Sequence, residues 1–470
     1  MSKAKKKPDI EFALKRIFKK QAFRSVQREV IESALAGHDV YLQAATGLGK
    51  SLCFQLPAVV VDHGLTIVVS PLLSIMANQV DALRMAGIKS ATLNSSVSAE
   101  ERQAILADLE CGHPKNRLLY VTPELCATQS FRRKLALVYR QRELNRIVID
   151  EAHCISEWGH DFRPSFKQLS FFKSEYPSVP VMAVTATATE KVRFDILKIL
   201  NLPSPATKIF LLSTSRNNLH YEIRYMNDSF DTFKDMVAWL REVYARRELH
   251  QGKYQRASAV CGIIYCRARQ KCEELAKALR DNGIGARPYH AGLAKKEKED
   301  TTTSWLLNKP GYDIIVATTA FGMGIDKPNV RFIVHWQIGK SFESYYQEAG
   351  RAGRDGKAAR CILYYSREDR DRTQYLVNLE ENKRMPSEKG LGRATSFDAL
   401  VKYCEDISTC RHLAISKYFG EVKAPTCDFA CDYCKDVDAL RRANLSMLSD
   451  EERISTQREA GLFYNAGYDE

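Results

Sequence analysis

The sequence predicts an α/β chain in which two tandem lobes, each a parallel sheet covered by helices, precede a small helical module built around cysteines. Three observations carry this. Apolar strand-like runs alternate with helical stretches in two successive series, the pattern of parallel sheets buried on both faces. The stretch ATGLGKS joins the first strand-like run to an apolar helix, and only the first series has such a stretch. Four cysteines, Cys410, Cys427, Cys431 and Cys434, fall together near the carboxyl end, while the other nine of the 13 are scattered.

Length and composition bound the rest. The 470 residues suggest about three domains at roughly 150 residues each. No apolar run approaches the ~20 residues that span a bilayer, and the opening MSKAKKKPDI carries charge with no apolar segment behind it. The expectation is an intracellular chain with neither secretory signal nor membrane anchor. Seventy Lys and Arg against 57 Asp and Glu give a formal charge of +13, which favours polyanionic partners such as nucleic acid and is equally the balance of a generically basic enzyme. Thirteen cysteines in a long intracellular chain are expected as reduced thiols, binding metal where they cluster.

Residues 1–8 have basic positions and no apolar period and read as a disordered arm, with nuclear import as one use of it. From Asp9 the pattern is helical: Phe12, Ile17 and Phe18, then Val26, Val30, Ile31 and Leu35, with Gly37 as a stop before a strand over Val40–Gln43. Further strands are expected at 66–69, 118–121, 147–150 and 181–184. Turns containing Ser70, Thr122 and Thr185 follow three of them, at the strand ends where open α/β sheets bind ligands. Residues 203–218, with Pro205 and the polar STSRNN, read as a link between lobes. The second series places strands at 262–265, 313–317, 331–335 and 361–365 and a helix at 270–279, repeating the count and order of the first. Residues 245–258 lack an apolar face and read as an exposed insertion before this lobe's first strand, with nucleic-acid contact as a minority alternative.

The chemistry concentrates at strand ends. Thr46, Gly47, Leu48, Gly49, Lys50 and Ser51 form a phosphate-cradling loop, with Lys50 for the β/γ-phosphates of ATP and Ser51 for Mg²⁺. Ala44 stands where the full G-x4-G-K-[ST] pattern has its first glycine. Asp150 and Glu151 end an apolar run, as phosphoryl transfer requires: Asp150 on the metal side, Glu151 to orient or deprotonate the attacking water. His153 follows, then Trp158, His160, Phe162 and Arg163, whose rings and guanidinium suit unpaired bases or, equally, a core. Arg351 and Arg354, three apart in QEAGRAGRDG, point across a cleft together if they share a helical turn. A guanidinium supplied from a second lobe stabilises the charge on a transferring phosphoryl group. In the cysteine cluster, C-x3-C-x2-C plus a remote ligand suits a closed structural Zn²⁺ site, with Cys404 competing with Cys410 for the first position.

On these residues the chain resembles the RecQ family of superfamily 2 DNA helicases across roughly residues 10–436. FRSVQ, ATGLGKS, VVSPLLSIMANQV, LLYVTPE, DEAHCISEWGHDFRP, VTATAT, YHAGL, VATTAFGMGIDKPNVRFIVHW and QEAGRAGRDG occur in the family's order. The later FDALVKYCEDISTCRHLAISKYFGE looks most like the short branch exemplified by the fifth vertebrate member. The resemblance implies two RecA-like lobes, 9–212 and 213–366, a helical zinc-binding domain at 367–436 and a charged helical tail at 437–470. It implies that Gln27 reads adenine with Arg24 nearby, that Gly324 and Asp326 also serve the nucleotide, and that Arg351 and Arg354 meet the γ-phosphate. It places His153, His290 and the loop from Trp158 to Arg163 in DNA binding and coupling, and favours Cys410 over Cys404 because Arg411 follows it.

The implied activity is ATP- and Mg²⁺-dependent unwinding of tailed or forked duplex DNA by 3′ to 5′ movement on single strands, by a monomer in the nucleus, in repair, recombination or replication. Three departures qualify it. Lys20 replaces an aromatic residue expected near the adenine, His412 replaces a second arginine after Cys410, and the expectation after Cys434 is a charged tail without winged-helix or further DNA-binding domains. The rivals are an RNA helicase and a strand-annealing scaffold with vestigial hydrolysis.

Overall fold

The computed structural model describes residues 9–156, 162–203, 205–227, 231–251, 260–319, 321–322, 325, 327–382, 391–421 and 423–446. The basic arm and most of the charged tail lie outside these residues. The described chain divides into two compact units, one up to Thr214 that also takes in Ile325 and the other from Ser215 onward.

The first unit is built on seven parallel strands: β1 (Val40–Gln43), β2 (Leu65–Val69), β3 (Ser90–Leu93), β4 (Leu118–Val121), β5 (Leu144–Asp150), β6 (Val181–Thr185) and β7 (Lys208–Leu211), in the order β3-β4-β2-β5-β6-β1-β7. Alternate side chains feed two cores, which is why the strands read as unbroken apolar runs. Ile67, Val69, Ile147 and Ile149 join one face with Phe131, Leu135 and Val138 of helix Gln129–Arg140. Val68, Val148, Met182 and Val184 join the other with Met76, Val80 and Leu83 of helix Leu73–Met85. Each such side chain taken fully out of water contributes ~1.5–3 kcal/mol.

The second unit has six parallel strands: β8 (Leu219–Tyr225), β9 (Cys261–Tyr265), β10 (Ala286–Tyr289), β11 (Ile314–Ala317), β12 (Val330–His335) and β13 (Ala359–Tyr365), ordered β10-β11-β9-β12-β13-β8. Counted within each unit, both sheets run 3-4-2-5-6-1. The first adds β7 at one edge, so the order repeats but the count differs by one.

Several expectations need correction. The segment 203–218 is not only a link, because β7 pairs in register with β1, Val40 opposite Lys208. The lobe's first strand is β8, ahead of helix Thr232–Gln251, so residues 245–251 end a helix rather than a loop insertion; residues 252–259 lie outside the described residues. β3 and β10, too short and mixed to stand out as apolar runs, were also unforeseen. The opening helical pattern is realised as a short helix Ile10–Phe12 running into a π-helical turn, Ala13–Ile17, and then, after a break, helix Gln27–Leu35.

After β13 come helices Arg367–Asn382, Leu391–Glu405, Arg411–Tyr418, Asp432–Lys435 and Val437–Leu445. They pack on the second sheet's own elements: the Phe342 and Tyr418 rings stack at 4.3 Å, and the Tyr225 hydroxyl donates to the Cys404 carbonyl at 2.7 Å. Among the described residues no helix is long and apolar enough to cross a membrane.

Candidate active site and cysteine cluster

β1 ends at Gln43, and the chain turns through 44–51 into helix Leu52–Val60. Gly47 and Gly49 take φ of 89° and 78°, open to glycine at little cost. A Cβ on Gly49 would also lie 2.7 Å from Gln27 Nε2. That amide is a clamp: Nε2 donates to the carbonyls of Leu48 and Gly49, each at 3.1 Å, while Oε1 accepts from the Arg24 N–H at 2.8 Å. Arg24 Nη1 reaches the Gly47 carbonyl at 3.4 Å. The predicted adenine-side residues therefore hold the predicted phosphate loop. Thr46 and Leu48 are half-buried within it. Lys50 Nζ donates to the Ala44 carbonyl at 2.8 Å and to that of Ala45 at 3.4 Å.

Ser51 belongs to a network that the sequence reading missed. Gln79 donates to Ser51 Oγ at 3.2 Å and accepts from the Tyr120 hydroxyl at 2.8 Å, and Gln55 donates to both Tyr120 and Gln79. Both partners lie inside quoted motifs, VVSPLLSIMANQV and LLYVTPE, but 28 and 69 residues from Ser51 no spacing rule joins them.

Asp150 closes β5, one strand removed from β1 across β6. Its buried carboxyl is pushed up to about 7, chiefly by loss of water and then by the Glu151 charge, with the Lys50 ammonium opposing. Glu151 sits in the left-handed region at φ 51°, ψ 47°, a conformation costing a non-glycine residue about 1–2 kcal/mol. Its Oε2 is buried without a hydrogen bond and lies 3.4 Å from His153 Nδ1. The same Nδ1 stands 2.9 Å from Thr185 Oγ1, and Thr185 Oγ1 accepts from the Thr187 N–H at 3.3 Å. His153 is thus buried between the acid pair and the TATAT turn.

Trp158 and His160 lie outside the described residues. Phe162 has Lys167 Nζ 5.5 Å from its ring centre, and Arg163 Nη1 donates to the Pro71 carbonyl at 3.0 Å.

In the second unit the condition of a shared helical turn is not met. Helix Phe342–Ala349 stops before Arg351, and Arg351 and Arg354 lie on the turns that follow. Arg351 Nη1 donates to the Gly322 carbonyl. The turn is braced by Arg216, which donates to the carbonyls of Gly350 (2.8 Å) and Gly353, and by Asn218, which donates to Gly353 at 2.8 Å. Both bracing residues come from the STSRNN segment, and no local pattern announced this. His290 is buried, its Nε2 3.0 Å from Glu273, so its side chain offers no surface to DNA as placed here. Gly324 and Asp326 fall outside the described residues.

Cys410, Cys427, Cys431 and Cys434 bring their sulfurs within 4.8 Å of one another. The Cys427–Cys431 and Cys431–Cys410 separations are 3.6 and 3.9 Å, against about 3.8 Å for two thiolates on a tetrahedral zinc. The Cys431 thiol donates to Cys410 and lowers the Cys410 pKa, while the same bond raises that of Cys431 and burial raises those of Cys427 and Cys434. Cys404 is buried elsewhere, its thiol pushed well up by burial. Arg411 is buried and locked to Asp432 (2.8 and 3.2 Å) and to the Tyr403 and Asp406 carbonyls. His412 is buried too, with Nδ1 2.8 Å from Ser215 Oγ and Nε2 3.0 Å from the Ala430 carbonyl. Both ring nitrogens of His412 are thus engaged within the fold.

Comparison with known proteins agrees with this arrangement. Residues 24–194 match the model for DEAD/DEAH box helicases, 243–356 that for the helicase conserved C-terminal domain, and 367–435 that for RecQ zinc-binding. The chain is 42% identical over 450 residues to the ATP-dependent DNA helicase Q5 of Mus musculus, covering 93% of this chain and 44% of that protein. It is 39% identical over 439 residues to the ATP-dependent DNA helicase Q1 of Pongo abelii, covering 93% and 64%. The chain therefore spans less than half of the former relative and less than two thirds of the latter. Among solved structures, a DUF1998 helicase, MrfA, bound to DNA aligns with TM-score 0.60 at 18% identity, over 79% of this chain and 50% of that one. The Mycobacterium smegmatis helicase Lhr bound to ssDNA and AMP-PNP aligns with TM-score 0.55 at 16%, over 81% and 56%. At such identities these two share the RecA-like fold alone. A zinc-binding match following two helicase matches, together with curated relatives that each take in more than nine tenths of this chain, makes the chain a member of the RecQ family of DNA helicases.

Proposed function

We propose that the protein is an ATP- and Mg²⁺-dependent DNA helicase that moves 3′ to 5′ along a single strand and opens tailed or forked duplexes. It would act as a monomer in the nucleus, in repair, recombination or replication. The observation that carries the reading is the carboxyl edge of the first sheet, where the Lys50 ammonium on the loop after β1 acts on Asp150 at the end of β5, with Ser51 next to Lys50 at the start of the following helix. Lys50 neutralises β/γ-phosphate charge, which requires it to leave the Ala44 carbonyl. Ser51 and Asp150 are the residues that would hold Mg²⁺, which when bound spreads the phosphate charge and draws Asp150 into its ionised form. Glu151 orients the attacking water, and its unbonded buried oxygen is free to accept that proton. Arg24 and Gln27 face the adenine. Arg351 and Arg354 stabilise charge on the transferring phosphoryl group. His153 and the Trp158–Arg163 loop link DNA in the groove to hydrolysis, and Cys410, Cys427, Cys431 and Cys434 hold a structural zinc ion.

Unwinding of duplexes with a 3′ or a 5′ tail, with and without ATP and at fixed ionic strength, tests this. Wild-type protein is expected to open the 3′-tailed duplex only, with ATP. Lys50→Ala is expected to lose ATP turnover by about 100-fold or more while keeping its circular dichroism. Trp158→Ala is expected to keep basal turnover and lose stimulation by single-stranded DNA. Equal stimulation by RNA would favour the RNA helicase. Annealing of strands without ATP turnover in the wild type would favour the scaffold.

A further inference from the structure

Three segments at the opposite, amino edge of the first sheet converge on one carboxylate. Glu143 immediately precedes β5, His63 lies two residues before β2 and His113 five before β4, and these three strands are neighbours in the order β4-β2-β5. The Glu143 side chain is only 2% exposed, yet each of its oxygens faces an imidazole: Oε1 is 2.7 Å from His113 Nδ1 and Oε2 is 3.0 Å from His63 Nδ1. The two rings are 63% and 83% exposed, with centroids 6.0 Å apart at 78°. One ligand atom from each of the three residues lies within 4.8 Å of the others.

The surroundings hold these groups in place. Asn145 donates to the His63 carbonyl at 2.6 Å, and Gly64, at φ 95°, gives the turn its path. The Leu65 N–H donates to the Glu143 carbonyl at 2.6 Å. Arg117 holds the end of helix Leu52–Val60 by donating to the Ala58 and Val61 carbonyls.

We propose that His63, His113 and Glu143 form a second metal site, distinct from the four cysteines, for a zinc-class divalent transition metal. Two imidazoles and a carboxylate are a borderline donor set that suits Zn²⁺ and its neighbours and ill suits Mg²⁺ or Ca²⁺. Nitrogen and oxygen ligands at 2.0–2.2 Å around a tetrahedral ion stand about 3.3 Å apart. The present pairs are somewhat closer, as hydrogen bonds are, and the exposed rings have room to back away. On binding, each imidazole keeps its single proton on Nε2 and presents Nδ1 to the ion. Three protein ligands leave a position for water on the solvent side. The ion fastens together the amino ends of three neighbouring strands, across the sheet from the phosphate loop.

Cobalt titration of the zinc-loaded full chain tests this, because the cysteine site and the proposed one give different spectra. Wild-type protein is expected to take up one further Co²⁺, with weak d–d bands, no thiolate charge-transfer band and a rise in the thermal midpoint. His63→Gln/His113→Gln, changed at exposed side chains only, is expected to keep the cysteine-bound zinc and bind the added Co²⁺ at least about 100-fold more weakly. No uptake beyond the cysteine site, or uptake unchanged in the double variant, would overturn the proposal and leave a buried carboxylate hydrogen-bonded by two histidines.

Discussion

Asp150 and Glu151 are adjacent in sequence and meet opposite conditions in the fold. Asp150 is buried at a strand end, where loss of water and the neighbouring charge raise its carboxyl from 3.8 to about 7. Glu151 is turned by its left-handed backbone toward His153. Because the folded pKa of Asp150 is raised, the folded state holds its proton more tightly than the unfolded chain does. Ionisation therefore costs stability, increasingly from pH ~4 to ~7 and fully above that. Asp150→Asn should accordingly stabilise the first unit by an amount of the order of 1–3 kcal/mol at pH 8, the gain fading toward pH 4, while abolishing ATP turnover. Thermal denaturation of both proteins across that range checks it; parallel curves would mean that Asp150 is ionised at no cost. The acid pair was legible because a β-branched run ending in two carboxylates is a local pattern. The protonation state and the strained backbone were not, since both depend on what packs around the strand end.

At the scale of elements, the arginine turn shows where local reading stops. QEAGRAGRDG named Arg351 and Arg354, but their position on a turn beyond the helix depends on Arg216, 134 and 137 residues away from the carbonyls it holds. Arg216→Ala removes that brace and leaves the phosphate loop untouched. The expected result is a fall in kcat for ATP of roughly tenfold, equivalent to about 1.4 kcal/mol, with the Kd for nucleotide within about twofold. Arg216→Lys should not restore it, because one ammonium nitrogen on a shorter stem lacks the two separate Nη donors with which the guanidinium reaches Gly350 and Gly353. Loss of nucleotide binding in step with kcat would instead indicate general damage to the unit. β8 is the opposite case: LHYEIRY alternates buried and half-buried residues over its whole length, a period-2 signal that was present in the sequence and overlooked beside the polar link. β7, four residues on a sheet edge with its side chains largely exposed, has almost no such signal.

At the scale of the molecule, the cysteine module and the second sheet form one structure. Tyr221 of β8 bridges to Cys431, the Ile223 N–H donates to Asp432 at 2.9 Å, and Asp432 in turn holds Arg411. Removing zinc should therefore loosen β8 as well as the cysteine loop. Hydrogen exchange after chelation is expected to show faster exchange at Tyr221 and Ile223, with Cys431→Ser reproducing it; protection unchanged at both amides would show that the module is held without the metal.

The sequence by itself determined the chain's chemical inventory and its architecture: the loop, the acid pair, the arginines, the cysteine set and two runs of buried parallel strands. Each is written in contiguous residues or short spacings, where periodicity and side-chain chemistry act directly. Tertiary structure alone decided that Gln27 clamps the loop, that Gln79 and Tyr120 support Ser51, and that His63, His113 and Glu143 meet. Those partners lie tens of residues apart, and only the order of strands in the sheet and the packing of helices against it bring them within hydrogen-bonding distance.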